Sequence, residues 1–207
     1  FAVYTLSPDG KTALSVDFER INDLRPGYGY AGISDPNKDE LAPENAGIYR
    51  CDFETGEKEL IISIAQMNAM PLKESDDLAF KDFHTEKNWF NHLLFNTDGS
   101  RFVFLHRWKT PFNPHSSFNT LMYSSDLTGE DIRLVDGSGY TSHFIWRDAQ
   151  YLMMWTRHKG KPGFYLFKDD GSDQGIIEGE GIMTENGHNT YLLRNEWILN
   201  DTYPRNE

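Results

Sequence analysis

His92–Trp108, HLLFNTDGSRFVFLHRW, places an alternating apolar run, an Asp98-Gly99 turn and a second alternating run within seventeen residues. Asp-Gly between two such runs is a strong local signal for a β-hairpin, because glycine tolerates the positive φ of a tight turn. Three further segments repeat the layout. Ala2–Phe18 (AVYTLSPDGKTALSVDF) turns at Asp9-Gly10, His143–His158 (HFIWRDAQYLMMWTRH) at Asp148-Ala149, and Thr190–Tyr203 (TYLLRNEWILNDTY) at Asn195-Glu196. The turns at 98, 148 and 195 are spaced by about 50 and 47 residues, a period typical of repeat architectures.

Between these hairpins lies a second set. Gly47–Ser63 turns at Thr55-Gly56, Asn119–Val135 at Thr128-Gly129, and Gly163–Gly179 near Asp170-Gly171. Hairpin plus hairpin makes a four-stranded unit, and its repetition predicts an all-β fold: a β-propeller of four-stranded blades. About three and a half blades are present, in approximate units 1–65, 89–137, 140–180 and 187–207, with long insertions at 20–46 and 66–88. A β-sandwich uses the same hairpins, but the internal repeat favours the propeller. Three and a half blades leave sheet edges unpaired, which natural proteins avoid. The chain therefore reads as part of a seven- or eight-bladed propeller, with self-association expected if this piece is expressed alone.

Composition narrows the function. The 207 residues carry a formal net charge of −12, and no basic cluster exceeds a pair, which disfavours nucleic acid as a partner. Cys51 is the single cysteine, so there is no internal disulfide framework and no paired-cysteine metal motif. No apolar run reaches the length of a membrane span, so no membrane insertion is expected. The first residues read as a strand already under way, which suits a fragment whose targeting signal lies elsewhere. There is no GxSxG, phosphate-loop or GxGxxG motif, and no organic cofactor is expected. Acidic stretches such as SDPNKDELAPEN (34–45) read as solvated charge.

Polar residues recur at equivalent strand ends. His92 opens its hairpin, and His106 and Arg107 close it. Tyr140 and His143 stand ahead of the next unit's first strand, with Arg157 and His158 closing its second, and His188 precedes the last hairpin. Equivalent positions in successive blades are neighbours around a propeller axis, so these groups can converge on one funnel, although repeat ancestry alone also produces recurrence. Histidine exchanges protons near neutral pH and arginine forks onto carboxylates. His143 and His188 are candidate ligands of one divalent metal (Mn, Zn or Ca). The loop Arg25-Pro26-Gly27-Tyr28-Gly29-Tyr30 offers aromatics for stacking on a sugar and Arg25 for an anionic group. The same loop also suits an Ω-like turn packing its tyrosines on its own blade.

The segments SPDGKTALSVDFERINDLRPGYGY, WFNHLLFNTDGSRFVFLHRW, SHFIWRD and GHNTYLLRNEWILNDTYP together resemble bacterial propeller proteins related to oligogalacturonate lyases and propeller-type ulvan lyases. The chain departs from that pattern at Asn189, where related proteins carry cysteine. The resemblance implies β-elimination on uronic-acid polysaccharides or oligosaccharides by a secreted or periplasmic protein, or a cytoplasmic one if the substrate is an oligosaccharide. It implies His92 and His106 as acid or base, Tyr140 as an alternative, Arg107 or Arg157 as carboxylate neutralisers, and His143 and His188 as metal ligands. Arg25, Tyr28 and Tyr30 are the substrate-binding candidates from the loop reading. The alternative from another class is a non-catalytic propeller that binds carbohydrate or protein. A hydrolase is weaker, because no carboxylate pair holds a comparable position.

Overall fold

The computed structural model describes residues 2–71, 84–109 and 117–202. Each hairpin pair folds into one four-stranded antiparallel meander. Blade 1 is β1 (Thr5–Leu6), β2 (Thr12–Val16), β3 (Gly47–Asp52) and β4 (Lys58–Ser63). Blade 2 is β5 (Lys87–Phe95), β6 (Arg101–Lys109), β7 (Asn119–Asp126) and β8 (Arg133–Asp136). Blade 3 is β9 (Ser142–Trp146), β10 (Tyr151–His158), β11 (Lys161–Lys168) and β12 (Ile176–Glu178), and β13 (Asn189–Tyr191) with β14 (Ile198–Asn200) forms half of a fourth. The chain is thus an all-β, partial β-propeller. The turn glycines Gly10, Gly56, Gly99, Gly129 and Gly171 all take φ between 68° and 76°, the conformation that glycine adopts without steric cost.

Strand alternation here separates two cores rather than core from water. On β6, Phe102 and Phe104 join Leu14, Ile48, Ile62 and Trp89 between blades 1 and 2. Their neighbours Val103 and Leu105 join Met122, Trp146, Leu152 and Met154 between blades 2 and 3. Met153, Phe164 and Leu166 then meet Tyr191 and Ile198 of the half-blade. A fully buried Phe or Leu contributes about 2 kcal/mol, so the blade-on-blade faces supply most of the stability. Polar ties reinforce them: Trp146 Nε1 donates to the Leu94 carbonyl at 3.2 Å, and Asn96 Nδ2 to the Ala149 carbonyl at 3.0 Å. Asp169 is buried between Arg101 and Arg133, at 2.7 and 2.8 Å. Gly129 presses so closely on blade 1 that a Cβ there would fall 2.1 Å from the Ile61 carbonyl oxygen.

The 20–46 insertion is not a structureless loop. It begins inside helix α1 (Phe18–Leu24), and a second short helix, α2 (Ile64–Ala69), opens the 66–88 insertion. Ser63 caps α2 by accepting the Gln66 N–H at 3.0 Å. Residues 72–83 of that insertion, and 203–207 of the last unit, lie outside the described residues.

The acidic stretch 34–45 is not uniformly solvated either. Asp35 and Asn37 are buried, and Asp35 pairs with Arg20 at 2.9 Å. All five Arg20 N–H groups find acceptors: Asp35, and the carbonyls of Asn37, Glu40, Leu41 and Asn88, at 2.7 to 3.0 Å. Lys87 adds a 2.7 Å ion pair with Asp23. The neck of the insertion is closed by Asp17, whose carboxylate accepts the Gly47 N–H at 2.6 Å and the Tyr49 hydroxyl at 3.1 Å. No helix among the described residues is long and apolar enough to cross a membrane.

Candidate functional site

β5 and β9 each carry a β-bulge near the axis. On β5 the pairing passes from Asn91↔Leu105 to Leu94↔Val103, leaving His92 and Leu93 opposite Phe104. On β9 it passes from Ser142↔Trp155 to Phe144↔Met154, leaving His143 over. His92 and His143 sit at positive φ, 55° and 41°, a conformation uncommon outside glycine and associated with bulges that re-aim a side chain. Both imidazoles line one cavity of about 400 Å³, shared by all the blades. Blade 1 contributes Tyr4, Arg25 and Tyr28. Blade 2 contributes His92, Leu93, Leu94, Leu105 and Arg107. Blade 3 contributes Ser142, His143 and Phe144, and His188 comes from the segment leading into the half-blade.

Its chemistry is cationic. Arg25 lies 3.5 Å over the Tyr28 ring and 4.9 Å from Phe118, and Arg107 lies 4.6 Å from the same Phe118. One aromatic ring thus holds two guanidiniums that would otherwise repel. Arg107 Nε donates to Thr120 Oγ1 at 3.2 Å, while Nη1 of both arginines is buried without a hydrogen-bond partner among the described residues. Cation–π contact orients a guanidinium but leaves its charge unneutralised. Burial, then the like charge of Arg25, pulls Arg107 down to about 9, so it stays cationic at neutral pH. Burial, then the charges of Arg107, Arg25 and His143, pulls His92 down to about 3. The His92 imidazole is therefore neutral, and its Nδ1 is buried without a partner among the described residues. Tyr4 accepts the His92 backbone N–H at 2.8 Å, leaving its own hydroxyl proton free to donate, and burial raises that phenol above its usual range.

The cavity brings together His92, Arg107, Arg25, Tyr28, His143 and His188 from the sequence candidates. It excludes His106. That side chain is fully buried on the opposite face of β6, with Nε2 2.7 Å from Asn88 Oδ1 and rings of Phe90 and Trp108 at 5.4 and 5.6 Å. Successive strand residues face opposite ways, so Arg107 takes the cavity and His106 the core. Tyr140 and Arg157 pair with each other, the guanidinium 4.1 Å over an exposed ring, and neither lines the cavity. Tyr30 packs on its own blade, stacked on Phe18 at 4.7 Å, and Phe18 in turn stacks on Tyr4 at 5.6 Å. The loop thus divides its tyrosines: Tyr28 lines the cavity and Tyr30 anchors.

His143 and His188 do meet, with ring centroids 4.2 Å apart. His143 Nδ1 lies 2.8 Å from Asn186 Oδ1, and His188 Nδ1 3.2 Å from Asp201 Oδ2. No cluster of three His, Cys, Asp or Glu side chains suited to a metal occurs among the described residues. A divalent ion would thus find two imidazoles here and need a further donor from elsewhere. Sequence reasoning missed Tyr4 and Phe118. Tyr4 had a usable signal: it stands five residues before Asp9, as His143 stands five before Asp148, so the hairpin register marks it as an axial residue. Phe118 had none, since its role depends on two arginines distant in sequence.

No protein-family model matches the chain, and no curated protein matches it. Among solved structures it is similar to Kuenenia stuttgartiensis hydrazine synthase, at 15% sequence identity and a TM-score of 0.38. That alignment covers 80% of this chain and 39% of the other, so the chain spans well under half the length of its structural neighbour.

Proposed function

We propose that this chain carries the site of a polysaccharide lyase acting by β-elimination on uronic-acid-containing polysaccharide or oligosaccharide. One observation carries the reading: Arg25 and Arg107 share a cavity with a neutral histidine and a protonated tyrosine, and neither guanidinium has a carboxylate partner among the described residues. Two cations without a carboxylate partner among the described residues, Arg107 buried and Arg25 half-buried, favour an anionic ligand, and a planar carboxylate matches the guanidinium fork.

Elimination needs the C5 carboxylate neutralised, the C5 proton removed and the O4 leaving group protonated. Arg107, with Arg25, holds the carboxylate and stabilises the charge that develops on it. The His92 imidazole takes the C5 proton, the C5–H electron pair becomes the C4–C5 double bond, and the C4–O4 bond breaks. Tyr4 supplies the proton to O4. A bound carboxylate also tunes its own base. The two arginines are among the charges that depress His92, so an anion that screens them raises its basicity on binding.

The test is the ultraviolet absorbance of the unsaturated uronate product, followed with ulvan, pectate and glycosaminoglycans in turn. A rise that Arg107→Ala abolishes supports the lyase. Saturable binding of a uronate oligosaccharide with no absorbance change on any polymer rejects it in favour of a carbohydrate-binding module. The separation of His106 and Tyr140 from His92 is the observation that favours this second reading.

A further inference from the structure

We propose that Arg20, which does not line the cavity, is the positioning residue that sets Arg25 and Tyr28 against the anion site. The inference rests on the reading of that cavity as an anion site, but not on elimination chemistry. The arm is built in two tied steps. Residues 25–30 fold back onto α1: the Arg25 N–H bonds the Ile21 carbonyl at 2.7 Å, the Tyr28 N–H the Arg25 carbonyl at 3.2 Å, and the Tyr30 N–H the Phe18 carbonyl at 3.1 Å. Gly29 permits this, since a Cβ there would fall 2.0 Å from the Phe18 oxygen. Arm and helix therefore move together.

Helix α1 has seven residues and buries only Arg20, Ile21 and Leu24, so its own length does not fix its place. Arg20 supplies that anchor. Four of its five hydrogen bonds collect the distal part of the insertion, at Asp35, Asn37, Glu40 and Leu41. The fifth reaches the Asn88 carbonyl on β5, the strand that carries His92 four residues on. Asn88 also holds His106 through its side chain. One guanidinium thus indexes the inserted segment of blade 1 to the base-bearing strand of blade 2. A lysine at 20 keeps the charge opposite Asp35 but cannot reproduce the planar fork.

The experiment compares Arg20→Lys, Arg25→Ala and the double variant, using the protein as it stands. Two readouts are followed: the NMR titration of the His92 ring, and calorimetric binding of a galacturonate trisaccharide. Arg25, Arg107 and His143 are the charges that depress His92, so Arg25→Ala raises its titration midpoint, and Arg20→Lys moves it the same way. Binding weakens about tenfold in each single variant, as for a lost charge-assisted hydrogen bond, and the double variant is no weaker than Arg25→Ala alone. A wild-type His92 titration in Arg20→Lys, or fully additive losses in the double variant, overturns the proposal. Loss of the amide spectrum of blade 3 in Arg20→Lys also overturns it, because the residue would then serve the whole fold. If the variants track together while no polymer is ever cleaved, only the lyase reading falls.

Discussion

Blades 2 and 3 place the same kinds of residue at the same strand positions and obtain different environments. Each has a bulge histidine on its first strand, His92 and His143, and each has an arginine two residues beyond the residue paired just before the bulge, Arg107 beyond Leu105 and Arg157 beyond Trp155. Between them lie His106 in one blade and Thr156 in the other, both fully buried. Yet Arg107 is buried against Phe118 in the cavity, while Arg157 lies over an exposed tyrosine. The difference comes from neighbours, not from the blade. Blade 2 is roofed by the insertion of blade 1, whose Arg25 meets the same Phe118. A repeat thus supplies positions, and an insertion decides which position becomes a site.

The buried pair His106 and Thr156 gives the largest expected contrast. Burial holds His106 at about 3 against an ordinary 6.5, so the unfolded chain binds the proton that the folded chain refuses. Stability from this group is full above about 6.5 and is lost as pH falls toward 3, by about 5 kcal/mol across that window. His106→Thr, which copies blade 3, makes the acid limb of a denaturant-midpoint-versus-pH curve shallower, His92 supplying the slope that remains. An unchanged limb would show that His106 is not what acid attacks. Asp17 works in the opposite direction. Burial raises it from 3.8 to about 6, so its contribution is present below 3.8 and is lost as pH rises through 6. Asp17→Asn removes that opposing slope, readable in the same curves.

The arginine pair comes next. Arg107→Ala weakens binding of a uronate oligosaccharide by about a hundredfold, the loss of two charge-assisted hydrogen bonds, whereas Arg157→Ala changes it less than about threefold. Equal losses, measured by calorimetry, would break the comparison between the blades. The smallest effect is expected in blade 1. Tyr4→Phe leaves ligand affinity within about threefold of wild type, because removing one neutral hydroxyl is worth about 0.6 kcal/mol or less there. In a cleaving enzyme the same variant lowers turnover without raising the Michaelis constant, since the proton is needed only as O4 departs.

The hairpins were legible because their cause is local: Asp98-Gly99 or Thr128-Gly129 between alternating runs leaves the chain little else to form. Faces were less legible. Alternation says that His106 and Arg107 diverge, but which of them meets the cavity depends on the blades stacked either side. The bulges at His92 and His143 leave no mark in composition, since they arise from how two strands pair. The insertion was misread for a related reason. Asp35 looks like any solvated acid in 34–45, and its burial depends on Arg20, fifteen residues away, whose fifth bond spans sixty-eight residues to Asn88. The cavity was half legible: its histidines and Arg107 recur with the blade period, whereas Phe118 and the fold-back of Arg25 do not.

The positive φ of His92 sets backbone strain against side-chain chemistry at a single position. A non-glycine residue in that conformation costs about 1 kcal/mol that glycine would not. His92→Gly would relieve the backbone while removing the imidazole, so selection for thermal tolerance alone would drift toward losing that side chain. A library screened for stability should therefore be expected to return glycine at 92, and its enrichment there would mark the residue as one kept for what it does rather than for how it folds.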